Sequence, residues 1–258
     1  MEATLTYFPG KFVWRELFTK DIPGAKRFYT ELFGWRTEDA PMGPDWSYTL
    51  IYVGDKQIGG MMDIANVPNG EHIPPHWSVY ASVPDVDAAA EKAKANGGQV
   101  ASPCMDIPNV GRFAVIQDPQ GGHMNVFKSM HGDPQEGMPG AHEFCWEQLN
   151  APDPQALIPF YQAVVGWGTE PMGEMTLFNR KSGAASMQVA SVFPAPPGVP
   201  AHWLTYVAIH DLAATVAKCQ ELGGDVAVER IDVPGVGAFA VLKDPFGAFV
   251  CAFQGDVG

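Results

Sequence analysis

Apolar positions along the chain follow two rhythms. Between Asp21 and Gly34, the residues Ala25, Phe28, Tyr29, Leu32 and Phe33 recur at i, i+3, i+4, i+7 and i+8, which is one face of a helix. Asp21 predicts the N-cap, because its carboxylate can accept from the unpaired N–H groups of the first turn. Gly34 predicts the stop, since glycine tolerates the left-handed conformation that closes a helix. A second helix is predicted by DVDAAAEKAKANGG, with Asp85 as its cap and Val86, Ala89, Ala90 and Ala93 as its apolar face. Around these helices the rhythm becomes strand-like. WSYTLIYV, QVASPCMDI, RFAVIQ and HMNVF are rich in β-branched and aromatic residues. Asp-Pro-x-Gly, beginning at Asp118 and again at Asp244, predicts a tight turn between antiparallel strands. The unit that emerges is β-α-β-β-β.

The pattern occurs twice. FYTELFGW from Phe28 matches FYQAVVGW from Phe160, and WRELFTKD from Trp14 matches WEQLNAPD from Trp146. HWSVYASVPDVDAA from His76 matches HWLTYVAIHDLAAT from His202. DIPNVGRFAVIQDPQGG from Asp106 matches DVPGVGAFAVLKDPFGA from Asp232. Such ordered matches predict two copies of one domain, residues 1–130 and 131–258, with the Gly- and Pro-rich stretch Lys128 to Gly140 as linker. In the second copy, Asp211 caps a helix whose apolar face holds Leu212, Thr215, Val216 and Cys219, so Cys219 reads as a small buried hydrophobe. Pro159 falls inside the third predicted helix, where Arg27 stands in the first. An interior proline removes a hydrogen bond, so that helix is expected to start late or to kink.

Composition narrows the function. With 46% hydrophobic and 17% charged residues, the 258-residue chain can bury a core of ordinary size. A formal charge of −13 opposes polyanionic partners, so neither nucleic acid nor membrane is expected. No apolar run of about 18 residues predicts a membrane span. The start, MEATLTYFPGKFVW, has no basic segment followed by an apolar one, and Cys104, Cys145, Cys219 and Cys251 form no CxxC pair. Both features predict a cytoplasmic protein with reduced thiols. No GxGxxG follows a strand, and neither GxxxxGK[ST] nor GxSxG is present.

The order of strand, Asp-capped helix, FYxxxxGW, three strands, and a second unit ending in DPxG plus a strand resembles the vicinal oxygen chelate superfamily. That superfamily includes glyoxalase I, extradiol dioxygenases, and fosfomycin- and bleomycin-resistance proteins. The resemblance implies an α+β fold of tandem paired βαβββ modules: two glyoxalase-like domains, each with a cupped eight-stranded sheet. It also implies metal ligands on the first and last strands of each unit. Those positions fall here on Trp14, Met61 or Met62, Ser78 and Asn125, and in the second copy on Trp146, about Met187, Leu204 and Cys251. This is no set for a hard divalent cation, so no metal cofactor is expected. The alternative is a relocated divalent-metal site at His76 and His123, with Glu16 nearby. It would make the protein a lyase, isomerase or dioxygenase.

The cup implied by the resemblance would be lined by Trp14, Glu16, Tyr48, Ser78, Tyr80, Asn125 and Phe127, and in the second copy by Trp146, Gln148 and Tyr206. Aromatic walls with a few polar groups suit a small hydrophobic or aromatic ligand. Glu16 is also the candidate general base, because an inward carboxylate requires a partner or a ligand. Strand alternation turns Trp77 and Trp203 away from the cup and under a helix. The expected role is therefore small-molecule binding by a monomer or homodimer. If the protein is an enzyme, it would be glyoxalase- or dioxygenase-like.

Overall fold

A computed structural model describes residues 5–43, 46–68, 70–183 and 185–255. The first module is β1 (Phe12–Thr19), α1 (Ile22–Phe33), β2 (Arg36–Pro41), β3 (Ser47–Val53) and β4 (Lys56–Asp63). The second is β5 (His76–Ser82), α2 (Val86–Ala95), β6 (Gln99–Ile107), β7 (Gly111–Gln117) and β8 (His123–Ser129). The same order returns as β9 (Phe144–Ala151), α3 (Pro154–Val164), β10 (Gly168–Met172), β11 (Met175–Ser182) and β12 (Ala185–Pro194). It returns again as β13 (His202–Ala208), α4 (Leu212–Glu221), β14 (Asp225–Val233), β15 (Gly237–Lys243) and β16 (Phe249–Gly255). Two eight-stranded mixed sheets result, ordered β2-β3-β4-β1-β5-β8-β7-β6 and β10-β11-β12-β9-β13-β16-β15-β14. The fold is α+β, and each sheet draws its strands from one repeat.

The local signals act as predicted. Asp21 Oδ1 accepts from the Gly24 N–H at 2.9 Å, and Gly34 closes α1 at φ 70°. Asp85, Asp153 and Asp211 cap the other three helices in the same way. Pro159 does not delay α3, which starts at Pro154 directly after its cap, as α1 starts directly after Asp21. The proline removes one N–H, but Leu157, Phe160, Tyr161 and Val164 are buried around it and hold the helix in place. The linker is also shorter than Lys128 to Gly140, since Lys128 and Ser129 complete β8. Asp133 then accepts from the Phe8 N–H at 2.6 Å, and Glu136 pairs with the buried Arg180.

Packing groups the modules differently from the repeats. One compact unit holds residues up to Val13 with 78–136 and 147–203, and the other holds 14–77, 137–146 and Leu204 onward. In the first, α2 and α3 share a core in which Val79, Ala81, Ile116 and Val126 meet Phe160, Tyr161, Trp167, Phe178 and Trp203. In the second, Leu17, Phe28, Tyr29, Phe33, Trp35, Ile51, Met61 and Trp77 meet Val207, Cys219, Leu242 and Val250. Trp77 and Trp203 are thus core residues, as strand alternation predicted. Cys219 is buried too, and burial pushes its thiol up to about 11.

Each core contains a tyrosine–aspartate fastening. The Tyr29 hydroxyl donates to Asp244 Oδ2 at 3.0 Å, while Asp244 Oδ1 accepts from the N–H groups of Phe246, Gly247 and Ala248. In the other unit the Tyr161 hydroxyl donates to Asp118 Oδ2 at 2.8 Å, and Asp118 Oδ1 accepts from Gln120 and Gly122. The tyrosine of FYxxxxGW and the aspartate of DPxG are therefore partners, each fastening a helix of one repeat to a turn of the other. Burial raises the pKa of both carboxyl groups, against the downward pull of these hydrogen bonds.

Candidate ligand-binding surfaces

In the unit that contains α1, Leu17, Ile51 and Met61 point into the helix-covered core. Strand alternation puts Trp14, Glu16 and Phe18 of β1, Tyr48 of β3 and Gly60 of β4 on the opposite face. Glu16 lies opposite Gly60 in the parallel β1–β4 pairing. The Trp14 Nε1–H donates to Tyr48 Oη at 3.0 Å. Tyr48 is hydrogen-bonded in turn to Glu16, and burial first, then the nearby carboxylate, raises its pKa well above 10. The phenol therefore stays protonated and donates onward, so the hydrogen bonds run from Trp14 through Tyr48 to Glu16. Glu16 is only 5% exposed. The structure thus brings together three predicted site residues: a buried carboxylate framed by an indole and a phenol.

Gly60 makes this arrangement possible, and the sequence reading missed it. A Cβ there would sit on the Tyr48 hydroxyl and ring, far inside van der Waals contact. The signal was present, because a glycine within a strand often marks the close approach of another group. Phe18 was also missed. It stacks on His76 with ring centroids 5.1 Å apart, and it could have been found two residues beyond Glu16.

A second predicted group comes together in the unit that contains α2. Val79, Ala81, Met124 and Val126 face the core. Ser78, Tyr80, Asn125 and Phe127 occupy the other face, with Tyr80 opposite Asn125 in the parallel β5–β8 pairing. Asn125 Nδ2 donates to Ser78 Oγ at 2.7 Å and to the Val79 carbonyl at 3.3 Å. The Tyr80 ring lies 6.1 Å from Phe127, edge to face, and 6.3 Å from Phe113.

The corresponding positions of the second repeat have a different chemistry. Leu204 and Cys251 replace Ser78 and Asn125, and they form an apolar group with Tyr206, Trp146, Phe239 and Phe253. Gln148, at the place of Glu16, donates through Nε2 to Asn150 Oδ1 at 2.8 Å. Trp146 and Gln148 belong to different compact units.

The same residues are poor metal ligands. Trp14 has an N–H and no lone pair to give, and Tyr48 takes that N–H. Asn125 directs its amide nitrogen at Ser78 and Val79. Met61 and Cys251 are fully buried, and Leu204 has no donor atom. These side chains do not fit a hard divalent cation. Of the alternative pair, His76 places Nδ1 2.8 Å from the Pro74 carbonyl, and His123 is exposed. Among the described residues, no group of three or more His, Cys, Asp or Glu side chains is placed to hold a metal ion. Among them, also, no helix is long and apolar enough to cross a membrane.

Comparison with known proteins agrees with the fold. Residues 11–127 match the model of the glyoxalase/bleomycin resistance protein/dioxygenase superfamily, and residues 146–253 match that of a glyoxalase-like domain. The chain belongs to this superfamily. It is 37% identical over 247 residues to the "Putative glyoxylase CFP32" of Mycobacterium tuberculosis (strain CDC 1551 / Oshkosh), covering 94% of each chain. It is 30% identical over 256 residues to the anthracycline biosynthesis protein DnrV of Streptomyces peucetius, covering 94% of this chain and 92% of that one. Among solved structures it is similar in fold to the Mn(II)-bound glyoxalase from Novosphingobium aromaticivorans. That likeness has a TM-score of 0.64 and 14% identity, over 97% of this chain and 84% of the other.

Proposed function

We propose that the protein binds a small aromatic molecule against Trp14, Glu16 and Tyr48, and that capture needs no divalent metal. The observation that carries this reading is the hydrogen-bond chain from the Trp14 N–H through Tyr48 to the buried Glu16 carboxylate, on the sheet face turned away from the helix-packed core. Such a chain fixes two aromatic side chains beside one acceptor before any ligand arrives. Preorganisation of this kind reduces the ordering cost of binding. Ring stacking adds about 0.5–1.5 kcal/mol per aromatic pair beyond the area buried. The likeness to DnrV supports a fused-ring ligand, because anthracyclines are fused-ring aromatics. The donor set described above supports direct recognition by side chains over recognition through a metal.

Calorimetric titration of 2-hydroxyanthraquinone into the full-length protein tests the reading. Trp14→Ala and Glu16→Gln are each expected to weaken binding by about tenfold, the equivalent of ~1.4 kcal/mol. Unchanged affinity in both variants, with circular dichroism showing them folded, would remove these residues from the site.

A further inference from the structure

We infer that His142 and His210 form a two-imidazole site for a divalent transition metal such as zinc, present in the second repeat and not in the first. The starting point is the backbone. His142 has a φ of 66°, in the left-handed region that favours glycine. Its N–H donates to the Ala208 carbonyl at 2.6 Å, and its own carbonyl accepts from the Trp35 Nε1–H at 2.7 Å. The first repeat makes the same joint with Gly10. There the N–H donates to the Ser82 carbonyl at 2.8 Å, the carbonyl accepts from the Trp167 Nε1–H at 2.8 Å, and φ is 84°. A Cβ on Gly10 would come within 2.8 Å of Trp167 Nε1. The fold itself therefore favours glycine at this joint. A histidine held there against its backbone preference points to a use for its side chain.

The side chain is set up as a ligand. His142 Nδ1 is buried, and none of the described residues hydrogen-bonds to it. Burial first, and then the neighbouring His210, hold this imidazole's pKa below its ordinary value. It is therefore neutral at pH 7, the form that binds metal. The His210 ring is exposed, and its centroid lies 5.7 Å from that of His142 with the planes 79° apart. An imidazole nitrogen holds zinc at about 2.0–2.1 Å with its ring centre about 1 Å behind, so two rings on one tetrahedral ion have centroids roughly 5–6 Å apart. The pair is thus spaced to share one ion, and the exposed ring gives that ion a way in. Imidazole nitrogen suits zinc, nickel or copper rather than magnesium or calcium. The adjacent Glu143 carboxylate is taken by Lys56, which leaves water to complete the coordination. Trp35, which holds His142, belongs to the helix-packed core and not to the sheet face that carries Trp14, Glu16 and Tyr48. In the first repeat the two positions are Gly10 and Pro84, which offer no imidazole.

Calorimetric titration of zinc chloride into the full-length protein, first freed of metal with a chelator that is then removed, tests the inference. The native chain is expected to take up zinc. His142→Gly copies the residue with which the first repeat makes this joint. It is expected to weaken zinc binding by at least about tenfold. It should also unfold at the native temperature or above, because glycine adopts this φ without strain. His210→Ala changes an exposed side chain and is expected to weaken zinc binding to a similar degree. Absence of zinc binding by the native chain would overturn the inference. So would native affinity retained in both variants, or a loss seen only with His76→Ala.

Discussion

Replacing Tyr29 with phenylalanine removes one oxygen and two hydrogen bonds from the interior. That oxygen donates its proton to Asp244 Oδ2 at 3.0 Å and accepts from the Trp77 Nε1–H at 3.0 Å. All three residues are buried, and Asp244 is 2% exposed. A hydrogen bond to a charged group is worth about 1.5–3 kcal/mol, and an indole N–H left buried without a partner costs about 1–3 kcal/mol more. Together they predict a loss of roughly 3–5 kcal/mol. For a chain of this length that is a drop of roughly 8–15 °C in midpoint. Urea and thermal unfolding followed by circular dichroism would measure it.

The deficit should also depend on pH, with a definite sign. Burial raises the Asp244 carboxyl pKa, while three backbone N–H groups and Tyr29 pull it down. Its folded pKa lies above the unfolded value, so the folded chain holds this proton more tightly. Ionised Asp244 therefore lowers stability at neutral pH, and that cost fades as the pH falls through the folded pKa. Removing the Tyr29 hydroxyl raises the folded pKa further and deepens the cost only where the carboxyl is ionised. The Tyr29→Phe deficit should thus shrink on acidification. A loss below about 1 kcal/mol at pH 7, or a deficit that grows as the pH falls, would refute the reasoning.

Two further predictions rest on other groups. Gly60→Ala should displace Tyr48 at a cost of about 1–3 kcal/mol of strain and weaken ligand binding along with stability, as calorimetry and urea unfolding would show. Tyr29, Tyr48 and Tyr161 all have pKa values raised well above 10, with burial the main cause in each. Stability should hold up to about pH 10 and fall above it, where the unfolded chain ionises these phenols first. A spectrophotometric titration should show late tyrosinate absorbance that rises only as the chain unfolds.

Much of the fold was legible because its signals are local. Asp21, Asp85, Asp153 and Asp211 act within one turn of themselves, and Gly34 supplies the left-handed residue its helix end requires. The late start expected from Pro159 does not occur, because the rule for interior prolines is local, whereas the burial of Leu157, Phe160, Tyr161 and Val164 comes from tertiary packing. Tyr29 and Asp244 could be read as a helix residue and a turn residue, but their partnership could not. They are 215 residues apart in sequence and meet only once modules of different repeats share a core. At the candidate site, the resemblance to the superfamily implied that Trp14, Glu16 and Tyr48 share one cup, and strand alternation in the structure puts them on one face. The hydrogen-bond chain depends on Gly60 lying under the Tyr48 ring, which follows from β3–β4 register and not from any pattern in the sequence. The amide orientation of Asn125 likewise depends on the single carbonyl of Val79.

The central claim is recognition of an aromatic ligand by side chains without a metal intermediary. Its most direct test is one calorimetric isotherm of 2-hydroxyanthraquinone, recorded on the native protein with and without a chelator of divalent cations. The account predicts the same dissociation constant in both. Binding that vanishes with chelator and returns when a divalent metal is added back would contradict it.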